Sequence, residues 1–247
     1  LARYAALLRT YTEALHERGV AVVPTTVRSV AAGDAVRAYL IQPLMPRALL
    51  LDSMLRSAGL DRGARLLERL AENVTAAVDE RIGLDAQVAN WVVEAGELAC
   101  VDVSTPLMRS ASGRDQLELE PFLSIYPALL RRALAPVAHS VMAQYHEPRK
   151  VLVDAASNLV KEQLERWLPV LLAAANDRVR PPITEAEVRA YFQRDRRLWL
   201  LMQRLRRLDR AWQRRVRGRP YPFLLPPPYR YGPPELPDRE TPERKTG

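Results

Sequence analysis

A chain of 247 residues with 48% hydrophobic content is long enough to bury a sizeable core and too apolar to stay unfolded. A lone cysteine, Cys100, excludes an intramolecular disulfide, and the best candidate for a membrane span, around Trp167 to Ala175, is far too short, so a soluble cytoplasmic protein is expected. The formal charge of +8 sits mostly on the arginine-rich region near the carboxy terminus, and with no zinc-ligand spacing or nucleic-acid-binding motif to accompany it, nucleic acid is not an expected partner.

From the amino terminus, Tyr4, Leu7, Leu8, Tyr11 and Leu15 recur at helical spacing, which predicts a helix over Ala2 to Arg18 stopped by Gly19. Ala21 to Val30 and Val36 to Gln42 read as two strands joined by a turn at Gly33 and Asp34. Two helices follow, over Ala48 to Ser57 and Asp61 to Arg81. The most informative stretch is Gly83 to Pro106, where three acceptor side chains, Asp85, Asn90 and Asp102, punctuate an apolar run. Trp91 to Val93 and Leu98 to Val101 read as strands about a tight turn at Glu94 to Glu97, with Trp91 and Cys100 as core side chains. If these runs pair, Asn90 enters the first strand and Asp102 leaves the second at the same end. Oxygen ligands gathered there, with Asp85 just upstream, would seat a hard cation carrying phosphates. Ordinary roles stand beside that one: Asp85 capping a turn, Asn90 bonding its own backbone, Asp102 ending a strand.

Beyond the hairpin the chain reads as helical. Glu118 to Ala135 carries Leu119, Phe122, Leu123 and Tyr126 on one stripe, and Arg149 to Asn176 is a second helix, preceded by Pro148. Pro181 and Pro182 end that region, and Thr184 with Glu187 forms a capping box for a helix over Glu185 to Arg217. Its apolar stripe includes Val188, Tyr191, Leu198, Leu201, Leu205 and Leu208, and arginines crowd the other faces. Such a helix is either a solvated terminal helix or a surface for a phosphorylated, acidic or membrane partner. The proline-rich stretch Tyr221 to Tyr231 is either a strap along its own domain or a ligand for a proline-recognition module. His139 and His146 lack the carboxylate spacing that would complete a metal site.

The succession helix, strand, strand, helix, helix, loop, hairpin, together with Asp85, Asn90 and Asp102, resembles the protein-kinase-like superfamily, especially its aminoglycoside-phosphotransferase-like branch. There a catalytic loop H-x-D-x-x-x-x-N precedes a short hairpin that ends in a metal-binding Asp. The resemblance implies a mainly helical α+β fold. Residues 1–46 would be a remnant of the small lobe, 47–182 a helical large lobe, 183–218 the basic helix and 219–247 a proline-rich tail. It implies Asp85 as the catalytic carboxylate, Asn90 and Asp102 as magnesium ligands, Glu13 as the ion-paired Glu of the small-lobe helix, and Gln42 and Leu44 as hinge residues against adenine. The implied activity is magnesium-dependent transfer of phosphate from ATP to a hydroxyl of a small molecule or peptide. The alternative is a catalytically silent kinase-like protein that binds a nucleotide or, through its basic helix or tail, a protein partner. Arg109 would face a phosphate or a catalytic carboxylate. Two departures stand out: Gly83 occupies the family's His position, and Val103 and Ser104 follow Asp102 where D-F-G has its last two residues. The family's Gly-rich hairpin and strand Lys would precede residue 1, so the chain is expected to be part of a longer protein.

Overall fold

The computed structural model describes residues 2–32, 35–118 and 139–218. The predicted turn at Gly33 and Asp34, all but the first residue of the predicted helix over Glu118 to Ala135, and the proline-rich stretch lie outside the described residues. The architecture is α+β and mainly helical, with two small sheets.

Helix α1, Ala2–Glu17, buries Leu8, Tyr11 and Leu15. It closes at Gly19, whose φ of 82° suits a residue without a Cβ and lets the N–H of Val20 reach the Leu15 carbonyl at 3.0 Å. The predicted strand over Ala21 to Val30 is two strands, β1 (Ala21–Val22) and β2 (Thr26–Ala32), which enter different sheets. Pro24 explains the break, since it has no N–H for a ladder and a fixed φ. Strand β2 pairs antiparallel with β3 (Ala35–Ile41), Thr26 opposite Ile41.

Helix α2 spans Leu51–Ser57, later than predicted, because Leu50 is extended and bridges to Val92. Helix α3, Leu60–Ala77, ends before the predicted Arg81. There the Asp79 carboxylate accepts the N–H groups of Arg81 and Ile82, each at 2.8 Å, while Arg18 donates to the Ala77 carbonyl at 2.6 Å, so the last turn is capped from outside. Strands β4 (Trp91–Glu94) and β5 (Glu97–Cys100) form the predicted hairpin, Trp91 opposite Cys100. Its turn has positive φ at both Ala95 (49°) and Gly96 (90°), the arrangement that matches strand twist in two-residue hairpins. Strand β1 adds in parallel to β5, giving the order β1-β5-β4.

The predicted helix over Arg149 to Asn176 is two helices, α4 (Pro148–Lys161) and α5 (Leu168–Asn176). Gln163 turns left-handed at φ 57°, and Pro169 in the first turn of α5 has no N–H to continue the preceding helix. Between them Trp167 is buried, its indole N–H donating to the Leu55 carbonyl at 2.8 Å. The last helix, α6, spans Glu185–Arg215. Thr184 Oγ1 accepts the Glu187 N–H at 3.2 Å, and the Thr184 N–H in turn holds the Glu187 carboxylate, so the capping box forms. One cluster of buried side chains runs from Leu8 on α1 to Val188 on α6. Among the described residues no helix is long and apolar enough to cross a membrane.

Candidate functional site

The loop between α3 and β4 is pinned at nearly every step. Gly83 N–H donates to the Leu107 carbonyl at 2.7 Å, and the Gly83 carbonyl accepts the buried Tyr11 hydroxyl at 2.9 Å. Leu84 N–H donates to the Tyr145 carbonyl at 3.2 Å. From α4, Asn158 Oδ1 takes the Val88 N–H at 2.9 Å while its Nδ2 reaches Gln87 Oε1 at 3.3 Å. A Cβ at Gly83 would stand 2.9 Å from the Tyr145 carbonyl oxygen and 3.0 Å from Leu107 Cβ. The backbone is too close there for any side chain, which accounts for glycine at this position.

Asn90 extends the hairpin ladder, its carbonyl accepting the Val101 N–H at 2.8 Å, so Asn90 and Asp102 emerge at one end. Asp85 joins them: Asn90 Nδ2 lies 3.4 Å from the Asp85 carbonyl oxygen. Burial raises the Asp85 carboxyl, as does the nearby charge of Asp102, while the Gln87 N–H and the Asn90 amide pull it down. Burial and the same two carboxylates raise Tyr11 and Cys100, which places all four groups within one electrostatic neighbourhood. Each acceptor also has a local role, with Asp85 Oδ1 taking the Gln87 N–H at 3.3 Å and Asp102 Oδ1 the Ser104 N–H at 2.9 Å. Tyr4 on α1 donates to the Ser104 carbonyl at 2.7 Å, so α1 holds both the loop and the segment after Asp102. Two carboxylates and an amide are oxygen donors of the kind a hard divalent cation takes, while among the described residues no group of three or more His, Cys, Asp or Glu side chains is gathered to hold a metal ion.

The other predicted site residues are placed differently. Gln42 reaches the hairpin end with its side chain, Nε2 donating to the Val101 carbonyl at 2.6 Å and to Thr25 Oγ1 at 2.9 Å. Leu44 is 97% exposed, and Glu13 lies on the exposed side of α1 with no ion pair among the described residues. Arg109, predicted to face phosphate or a catalytic carboxylate, instead pairs with Asp115 at 2.9 Å, because residues 109 and 115 bridge across a turn. His146 is buried, and His139 lies 3.5 Å from Asp115 at the surface.

Sequence reasoning missed a group on α4 and α6. Every residue from Val151 to Val160 on α4 is buried, Asp154 included. Asp154 Oδ1 accepts the Tyr191 hydroxyl at 2.9 Å, and burial first, then the charge of Asp85, pushes its carboxyl up to about 7. The positive charge of Lys161 opposes both shifts. Asp154, Tyr191, Asp195 and Tyr145 line a cleft of about 800 Å³, and Gln87, two residues from Asp85, lines it too. The available signal was an aspartate inside the apolar run Val151 to Ala156.

No curated protein and no solved structure matches the chain. A family model does, over residues 1–210, a range that contains the loop, the hairpin, the carboxylate-bearing helix α4 and most of α6. By that match the chain belongs to the family described as a family of unknown function (DUF6206).

Proposed function

We propose that this protein is a magnesium-dependent phosphotransferase of kinase-like architecture, taking phosphate from ATP to a hydroxyl of a small molecule or peptide. The observation that carries this reading is the gathering of Asp85, Asn90 and Asp102 at one end of the β4–β5 hairpin, with Gln87 of the same loop lining a cleft. Asn90 and Asp102 would hold magnesium, which when bound neutralises charge on the phosphates. Asp85 accepts the proton of the acceptor hydroxyl as that oxygen gains the phosphoryl group. Its raised pKa makes it a better base than a solvated aspartate. Tyr11, Asn158 and the Gly83 backbone hold the loop still, so the carboxylate is oriented before substrate arrives. The acceptor enters the cleft lined by Gln87, Asp154 and Tyr191. Gln42, tied to Val101, sets the end of β3 against the hairpin, which suits a hinge between lobes.

Titration calorimetry with ATP in the presence and absence of magnesium tests the reading. Asp102→Asn is expected to weaken magnesium-dependent binding at least about tenfold while leaving the thermal transition intact. Asp85→Asn should retain binding and lower ADP production about a hundredfold or more. Unchanged magnesium-dependent binding in Asp102→Asn would remove the proposal. Binding without ADP production in the unaltered protein would select the silent, nucleotide-binding alternative.

A further inference from the structure

Helix α6 has two apolar faces, and among the described residues only one is packed. Over its first turns it packs along α4, burying Val188, donating from Tyr191 to Asp154, and receiving Arg149, which pairs with Glu187 at 2.7 Å. Farther along the same side, Gln203 is buried. A second stripe, Leu201, Leu205, Leu208, Trp212 and Val216, recurs at intervals of four, three, four and four residues, which holds it to one face. At 3.6 residues per turn that face lies roughly a third of a turn from the packed one. It is open to solvent, with Leu201 52%, Leu208 66%, Trp212 56% and Val216 60% exposed. Leaving so much contiguous apolar surface in water is unfavourable for a helix whose only task is to cover the core.

The charge around the stripe identifies what it meets. Residues 194–217 hold ten of the chain's 37 basic residues and two of its 29 acidic ones, leaving 27 of each elsewhere. The whole net charge therefore resides on this segment. Arg197, Arg204 and Arg215 lie along one margin of the stripe, all exposed. Apolar side chains with an indole, bordered on one margin by guanidinium groups and on the other by Asp209 and Gln213, match the boundary between acyl chains and anionic headgroups, where the stripe leaves water and the arginines of that margin meet phosphate. Nucleic acid would use the arginines but has no place for the exposed leucines and valine.

We infer that the carboxy-terminal half of α6 docks on an anionic lipid surface, laying Leu201, Leu208, Trp212 and Val216 into the interface with Arg197, Arg204 and Arg215 against the headgroups. The inference is independent of the phosphotransferase reading, since no residue in it belongs to the Asp85 site. Sedimentation of the full chain with mixed phosphatidylcholine and phosphatidylglycerol vesicles, against pure phosphatidylcholine, tests it. Strong partitioning into the mixed vesicles that weakens with added salt is expected. Leu208→Glu with Trp212→Glu should lower it about tenfold or more, with the far-UV spectrum unchanged. Arg204→Gln with Arg215→Gln should lower it several-fold and flatten the salt dependence. If the glutamate pair disturbs the helix, Leu208→Ser with Trp212→Ser gives the same comparison. Equal partitioning into both vesicle types, or wild-type partitioning by the apolar variant, overturns the inference. So does binding to duplex DNA that exceeds vesicle binding and ignores the apolar substitutions, which would assign the arginines to nucleic acid.

Discussion

Asp154 is a carboxylate that the fold would hold more cheaply as an amide. Its folded pKa, about 7, lies above the ordinary aspartate value, so the sign of its linkage is that of a raised acid. Its contribution to stability is complete below about pH 4 and is lost as pH rises through about 7. In Asp154→Asn the amide oxygen can still accept from Tyr191, while the titration is removed. The variant is expected to be more stable than the parent at pH 8, and the gap should widen by roughly 1 to 3 kcal/mol between pH 5 and pH 8. Denaturant unfolding at the two pH values measures it, and a gap independent of pH would show that Asp154 is not the titrating group. A buried carboxylate with this penalty, lining a cleft that Gln87 of the Asp85 loop also lines, makes Asp154 a candidate for a functional residue. Its environment could not be read locally, because it comes from Tyr191, 37 residues away, and from Asp85 in another loop.

At the level of elements, helix α3 and the α4–α5 junction fit through one glycine. A Cβ at Gly63 would stand 2.0 Å from Trp167 Cη2, so the ring edge packs directly on the helix backbone. Gly63→Ala gains up to about 1 kcal/mol of helix propensity but forces Trp167 from its bond to Leu55. Overpacking of this kind typically costs about 1 to 3 kcal/mol, so a net fall in the thermal midpoint is expected. A rise in the midpoint would mean that the ring moves aside without loss. The elements themselves were largely readable. The 3.6-residue pattern located α1, α3 and α6, and the Ala95-Gly96 turn between two apolar runs located the β4–β5 hairpin. The two elements misread as continuous break near Pro24 and Pro169, where a missing N–H outweighed an unbroken apolar pattern, whereas the start of α2 is set by the Leu50–Val92 bridge and the end of α3 by the Asp79 cap.

Over the whole molecule, order is set by how many faces each helix buries. Helix α4 is buried on all sides within the cluster that joins α1 to α6, whereas the second half of α6 buries only Gln203. Local opening is cheapest where few apolar contacts are lost, so backbone amides of Arg204–Arg215 should exchange with solvent well before those of Leu152–Val160. Hydrogen exchange by mass spectrometry resolves the two segments, and equal protection would require contacts on α6 beyond those described. On the inference above, anionic vesicles should slow exchange in Arg204–Arg215.

By itself the sequence determined the mainly helical α+β class, the hairpin register that brings Asn90 and Asp102 to one end, and the concentration of positive charge on α6. Those depend on short-range periodicity, turn chemistry and composition, which act within a few residues. Only the tertiary structure decided that Asp85 joins that end, that Tyr11 takes the Gly83 carbonyl across 72 residues, and that Asp154 is buried beside a cleft. Hydrogen bonds and desolvation of that kind belong to pairs of distant segments, and no local pattern encodes which segments meet.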